Sequence, residues 1–271
     1  MRAELDLRGQ QYSLHDSHLE LAGVELPLLP LAQQCAAAER STWPALIHRE
    51  LERLIAEEKL GRELDAIRGD FAKARKVLKL RVQRAATLGP GAISAPIAGE
   101  LRAVLVLDLP SFVTPVRAAD LASWERPAER LVALALENVK TQEQVELKPM
   151  EIAGTKVFAV SGRTLFVATL ALAAEDLLGA PTEFGALVAM PSSHIVLCHA
   201  LADQRSLKAL EAMAAGALQA FESGPSPLSP DLFWKRGDRF VALKVTGEQG
   251  AVKCELPKEF DEQVVQRLPQ K

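Results

Sequence analysis

The chain has 271 residues, 48% apolar and 25% charged, with a formal net charge of −3 at pH 7. That balance excludes a long disordered or strongly cationic chain, and it allows one large domain or two small ones with a true hydrophobic core. A charge so near zero gives no global pull towards nucleic acid or an anionic membrane.

In chain order, residues 3–7 alternate Ala-Glu-Leu-Asp-Leu, which predicts a short strand. Residues 19–29 continue in that style across Gly23 until Pro27 and Pro30 break it, and the Ala-rich residues 31–40 read as a helix. Ser41-Thr42-Trp43-Pro44 is a helix start, a cap residue followed by an early proline. Leu46, Ile47, Leu51, Leu54 and Ile55 then recur at helical spacing, with Glu50, Glu52, Glu57 and Glu58 on the other side. Gly61 interrupts this pattern, and a weaker helical stretch runs to Arg68. Residues 71–83 read as a further helix, and Gly89-Pro90-Gly91 as a loop.

Residues 101–109 predict a strand around the apolar run Val104-Leu105-Val106-Leu107. Residues 118–124 make one or two helical turns. Pro127 opens a strong helix with Leu131, Leu134, Ala135 and Val139 on one face. Strands follow at 145–152 and 157–160, joined at Gly154, and residues 164–178 read as a long apolar helix closed by Gly179. Two more strands, 184–190 and 195–200, flank Pro191-Ser192-Ser193-His194 before a helix over 206–221. The proline-rich residues 224–230 form an extended connector. A hairpin follows across Arg236-Gly237-Asp238, then a strand at 252–256 and a short terminal helix.

Short connections between successive strands favour hairpins. The expected fold is α+β: a mainly antiparallel sheet with helices packed on one face, in a core domain over 91–271, preceded by a helix-rich N-terminal region over 1–90. Leu170, Leu177, Val188, Ile195, Leu197 and Leu210 are expected to share one core between the sheet and two helices.

Several segments carry a resemblance. They are Ile97-Ala98-Gly99-Glu100-Leu101 with the strand ending Asp108-Leu109-Pro110, and Ala133-Leu134-Ala135-Leu136-Glu137-Asn138-Val139. Ser161-Gly162 with Ala168-Thr169-Leu170, Val188-Ala189-Met190-Pro191 before Ile195, and Pro227-Leu228-Ser229 complete the set. Together they resemble the YtpQ-like proteins, a bacterial family of unknown function. The likeness spans residues 78–240, and Arg163 stands where the family has an acidic residue. The resemblance implies a shared fold and brings no chemistry with it.

Candidate sites are few. Cys35, Cys198 and Cys254 are widely spaced and include no Cys-x-x-Cys, which excludes a zinc ribbon or thioredoxin motif and predicts three free thiols in a cytoplasmic protein. The N-terminus has no apolar stretch of a signal peptide, and the apolar run over 165–174 is far short of the ~20 residues of a membrane helix. His15-Asp16-Ser17-His18 lacks further converging ligands and reads as a polar turn. Ser192-Ser193-His194 with His199 lacks the third group of a triad and the Gly-x-Ser-x-Gly elbow. Ser161-Gly162-Arg163-Thr164 offers helix-start amides to an anion without the glycine spacing of a phosphate loop, so Thr164 reads as a cap. No catalytic, cofactor-binding or metal-ligating residue is assigned, and no cofactor is expected.

Two features point to partners. The basic run Lys73, Arg75, Lys76, Lys79, Arg81 and Arg84 contains no acid and reads as one solvated or phosphate-facing side of a helix. Phe233 and Trp234 follow the stiff connector and must point to opposite faces of a strand. One of them is expected to lie exposed and mark an interaction surface, unless residues 252–268 fold back over it. The function these readings favour is a non-enzymatic cytoplasmic binding or adaptor protein whose partner is another protein. The alternatives are an enzyme with a site built from dispersed residues and a nucleic-acid-associated protein using the basic run.

Overall fold

The computed structural model describes residues 2–7, 11–21, 24–152, 154–179, 183–248 and 251–270. The chain divides into two units, 1–70 and 71–271.

The first unit begins with α1 (Arg2–Leu7), followed by the antiparallel strands β1 (Tyr12–Leu14), β2 (His18–Leu21) and β3 (Val24–Pro27). Then come α2 (Leu29–Ala36) and the long α3 (Trp43–Arg68). The segment expected as a strand at 3–7 is a helix. The Leu-x-Leu spacing matches a strand, but over five residues it carries little weight against packing: Leu5 is buried with Leu19, Leu21 and Leu51. Pro44 lies in the first turn of α3, where its missing N–H costs nothing. The expected break at Gly61 does not occur. A lone glycine costs only ~1 kcal/mol, and surface ion pairs at helical spacing, Arg53 with Glu50 and Glu57 and Arg62 with Glu58, support the helix on either side. Trp43 is half-buried, and its indole N–H donates to the Ala38 carbonyl at 3.2 Å.

The second unit opens with α4 (Phe71–Val77), β4 (Leu78–Arg84), β5 (Ser94–Ala98), β6 (Leu101–Asp108) and β7 (Val113–Pro115). β4 pairs with β6 along its whole length, so residues 78–84 belong with the later chain and not with an N-terminal region reaching residue 90. Next are α5 (Ala118–Trp124), α6 (Ala128–Gln142), β8 (Val145–Ile152), β9 (Thr155–Gly162), a 3-10 run at Val167–Ala173, and α7 (Ala174–Leu178). The chain ends with β10 (Ala186–Ser192), β11 (Ile195–Ala200), α8 (Arg205–Ser223), β12 (Leu232–Arg236), β13 (Arg239–Glu248), β14 (Ala251–Glu255), α9 (Lys258–Phe260) and a π-turn at Asp261–Val265. All strand pairs among the described residues are antiparallel. One sheet runs β14-β13-β12-β10-β11-β9-β8, and a second runs β4-β6-β5 with β7 on β6. The α+β class expected from the strand spacing is the observed one.

The central strands of the seven-stranded sheet are buried on both faces. On one, α8 lays Leu210, Met213 and Ala217 against Leu187, Leu232 and Trp234. On the other, Val160, Val188, Val196 and Phe233 meet the 3-10 run and Val82, Leu101 and Val104 of the second sheet. The six residues expected to share one core are therefore divided. Leu170 and Val188 lie in one cluster, with Leu177 at its margin; Leu210 lies in the other, with Leu197 at its margin. Ile195 is only half-buried. Register enforces the split, because Val188 stands opposite Cys198 and Ala189 opposite Leu197.

The apolar stretch 164–178 is not one α-helix. The Ala168 amide donates to Ser193 O at 3.1 Å instead of to its own turn. The Thr169 hydroxyl donates to Leu80 O at 2.9 Å and accepts from the Val82 amide at 3.3 Å, which docks the segment on the open edge of β4. Tertiary bonds of this kind override helix propensity.

Phe233 and Trp234 do point to opposite faces, but neither is exposed: they retain 1% and 2% of their surface. The expected interaction surface at this pair is absent because the terminal segment covers it. Phe260 meets Trp234 edge-on at 5.5 Å between ring centroids, and the indole N–H donates to Phe184 O at 2.8 Å. Gly185 (φ +82°) makes that approach possible, since a Cβ there would lie 2.4 Å from Lys235 O. The three cysteines are unbridged. No helix among the described residues is long and apolar enough to cross a membrane.

Replacing Trp234 by Ala should cost about 3–5 kcal/mol in urea denaturation. Trp234→Phe keeps the ring contact, loses the bond to Phe184 O, and should cost about 1–3 kcal/mol. A Trp234→Ala loss below half a kilocalorie per mole would remove this residue from the core.

Candidate functional site

The basic run does not form one face. Asn138, on α6, donates from its amide nitrogen to Arg75 O at 2.8 Å and Leu78 O at 2.7 Å. It satisfies carbonyls at the end of α4, and the chain leaves as a strand. Lys73, Arg75 and Lys76 stay exposed on the helix, whereas Lys79 is buried and Arg81 half-buried on β4. Arg84 pairs with Glu100 at 3.2 Å. The single-sided helix expected over 71–83 is thus corrected to a helix and a strand that aim their cations apart.

Lys79 is the centre of a polar node. Its ammonium reaches Glu143 Oε1 at 2.5 Å and Asp108 Oδ2 at 2.8 Å, and it sits 4.7 Å from the Phe166 ring centroid. The Lys79 and Glu143 side chains are 9% and 3% exposed. Burial works against the lysine's charge, but the hydrogen bonds and charges of Asp108 and Glu143 outweigh it and hold the pKa above its ordinary value. Thr164 donates its hydroxyl to the second Glu143 oxygen.

This node floors a cleft of about 860 Å³. Glu143 and Gln144, between α6 and β8, form one wall with Glu146; the end of β9 and the Arg163–Thr164 bend form the other. The helix start expected at residues 161–164, with Thr164 as its cap, is not formed, and neither are the helix-start amides that could have met an anion. The segment is a bend, Thr164 is committed to Glu143, and the Phe166 amide turns back to the Thr164 hydroxyl at 3.4 Å. Arg163 is exposed at the rim.

The other sequence candidates stay apart from the cleft. His15 and His18 stack at 4.3 Å in the first unit, and no group of three or more metal-ligating side chains occurs among the described residues. Ser192 Oγ accepts from the His194 amide at 3.2 Å, as part of the turn. His199 is buried with Nδ1 2.7 Å from Lys156 O, and its Nε2 has no partner among the described residues. Burial lowers its pKa, against the bond to Lys156 and the charge of Asp203. Burial pushes the Cys198 thiol up to about 12 and the Cys254 thiol up to about 11, so neither is a ready nucleophile.

Sequence reasoning missed Glu143, Asp108 and the buried Lys235, which bonds Glu175 at 2.7 and 2.5 Å and Gly237 O at 2.7 Å. The phase of Lys235 was available, because it alternates with Phe233 towards the interior. Its acid lies 60 positions away, and Glu143, one of the two acids on Lys79, lies 64 away; no local spacing marks these pairs.

Lys79→Met should cost about 2 kcal/mol, less than a fully buried pair, because Asp108 is partly open to solvent. Since the folded pKa is raised, the stabilisation is whole below pH 10.5 and is lost as pH rises through the folded value. The gap between wild type and Lys79→Met in denaturant titrations should therefore close in strong alkali; a gap that widens would refute the ion-pair account. For His199, with its folded pKa lowered, the contribution is present above pH 6.5 and is lost as pH falls below it. His199→Gln should flatten that acid limb of the stability profile. Compared with protein-family models, curated proteins and solved structures, the chain matches none.

Proposed function

We propose that the chain is a non-catalytic binding protein whose cleft above Lys79 receives a short polar stretch of a partner protein. The observation that carries this reading is the contrast between floor and rim. On the floor, Lys79 is neutralised by two carboxylates and held protonated, a poor state for a base or nucleophile at neutral pH. The Thr164 hydroxyl is likewise engaged. On the rim, the Arg163, Gln144 and Glu146 side chains are exposed and make no hydrogen bond or ion pair among the described residues. A guanidinium, an amide and a carboxylate side by side suit the mixed donors, acceptors and charges of a polypeptide. Glu146 opposes a phosphate backbone, and the divergence of the basic run further weakens the nucleic-acid reading. The adaptor role, the cytoplasmic setting and kinship with the YtpQ-like family belong to the same proposal.

A library of random linear peptides selected on the full chain tests it. Wild type should enrich a consensus, and Arg163→Glu should weaken the enriched peptides by about tenfold with an unchanged melting temperature, because Arg163 is exposed. Absence of a consensus, or a consensus indifferent to Arg163→Glu, would overturn the reading.

A further inference from the structure

β8 is the outermost strand of the seven-stranded sheet and pairs only with β9 among the described residues. In an antiparallel ladder, each residue turns both its backbone groups to one neighbour, and the next residue turns to the other. Gly162 donates its amide to His194 O at 3.2 Å, and Lys156 O meets the His199 ring at 2.7 Å. The even-numbered residues of β9 therefore address β11, and the odd ones address β8. Through the register Val145↔Gly162 to Ile152↔Thr155, the backbone groups of Val145, Leu147, Pro149 and Glu151 face the open edge. Pro149 sits where its missing N–H costs the sheet no bond. Residues 145–149 are all exposed, and Val145 and Leu147 keep 37% and 45% of their surface.

We propose that this edge is a homodimer interface, in which a second copy of the chain adds its own β8 antiparallel about a two-fold axis at Leu147. Charge complementarity selects this occupant. Edge-facing residues must meet edge-facing residues, which limits the registers. With Leu147 opposite its twin, Glu146 meets Lys148 of the partner subunit, and the symmetry repeats the pair. Val145 meets Pro149 of the partner subunit, so one face of the joint carries two ion pairs and the other an apolar strip. Moving the axis to Glu146 sets Glu against Glu, and moving it to Lys148 sets Lys against Lys. Val-Glu-Leu-Lys-Pro thus complements itself at Leu147 and repels itself in both adjacent registers. Pro149 accepts from Val145 but returns no hydrogen bond, so the ladder is short and the contact closes as an isologous pair. Glu146 borders both the cleft and this edge, so the dimer engages one rim carboxylate, but its register is set without any use of the ligand of the cleft.

Sedimentation velocity of the full chain across the micromolar range tests it. Wild type should pass from 29.4 kDa to twice that mass. Lys148→Glu should weaken the dimer about tenfold or more by setting Glu against Glu twice. Glu146→Lys combined with Lys148→Glu should restore it with the signs exchanged, and Leu147→Lys should hold the chain monomeric. All these side chains are exposed, so folding survives. A wild type that stays monomeric overturns the proposal, as does a dimer indifferent to Lys148→Glu and Leu147→Lys, or a Lys148→Glu defect that the exchange does not rescue. Because Lys148 does not line the cleft, peptide enrichment by the Lys148→Glu variant reads the cleft separately.

Discussion

A buried ammonium is tolerable only where carboxylates reach it, and Lys79 imposes that condition on everything around it. Asp108 must end β6 beside it, Glu143 must follow α6 at the right height, and Thr164 must bend after β9 to hold the far Glu143 oxygen. Four segments distant in sequence are fixed by one charge. Gly162 belongs to the same arrangement, because a Cβ there would press on Val167 Cγ2 at 2.9 Å and on Gln144 O at 3.1 Å. The cleft is the space left above this node.

The second constraint is a sheet whose central strands are covered on both sides. β10 is buried at every position, so its residues 186–191 read as an unbroken apolar run and not as an alternation. Covering the second face needs more than a helix, and the smaller sheet and the 3-10 run supply it. Thr169 does double duty there, closing the open edge of β4 with a hydroxyl while its backbone stays in the 3-10 run. Lys235, on the same face as Phe233, is tolerated because Glu175 follows it inward.

Much of this was legible wherever the signal is local. The helix over Ala128–Gln142, the β12–β13 hairpin and the strands β8, β9 and β11 follow from periodicity and turn residues within a few positions. The illegible parts were set by distant bonds. Residues 71–84 interleave apolar and basic side chains in a way that satisfies both a helix and a strand, and the Asn138 amide decided where one ends. The opposed directions of Phe233 and Trp234 could be read; the closing of Phe260 over the indole could not. Of the cleft, sequence named Lys79 and the Arg163–Thr164 bend but gave them separate roles, since nothing local ties either to Glu143.

The placement of the three tryptophans gives each unit its own optical reporter. Trp43, half-buried beside the Arg40 guanidinium at 5.6 Å, is the sole indole of residues 1–70. Trp124 and Trp234 lie in the second unit at 5% and 2% exposure, one tilted against Phe71 and the other edge-on to Phe260. A half-buried indole emits to the red of buried ones, so the red edge should report the N-terminal unit and the blue edge the second unit. Unfolding followed at the two wavelengths would separate one melting event from two without any label.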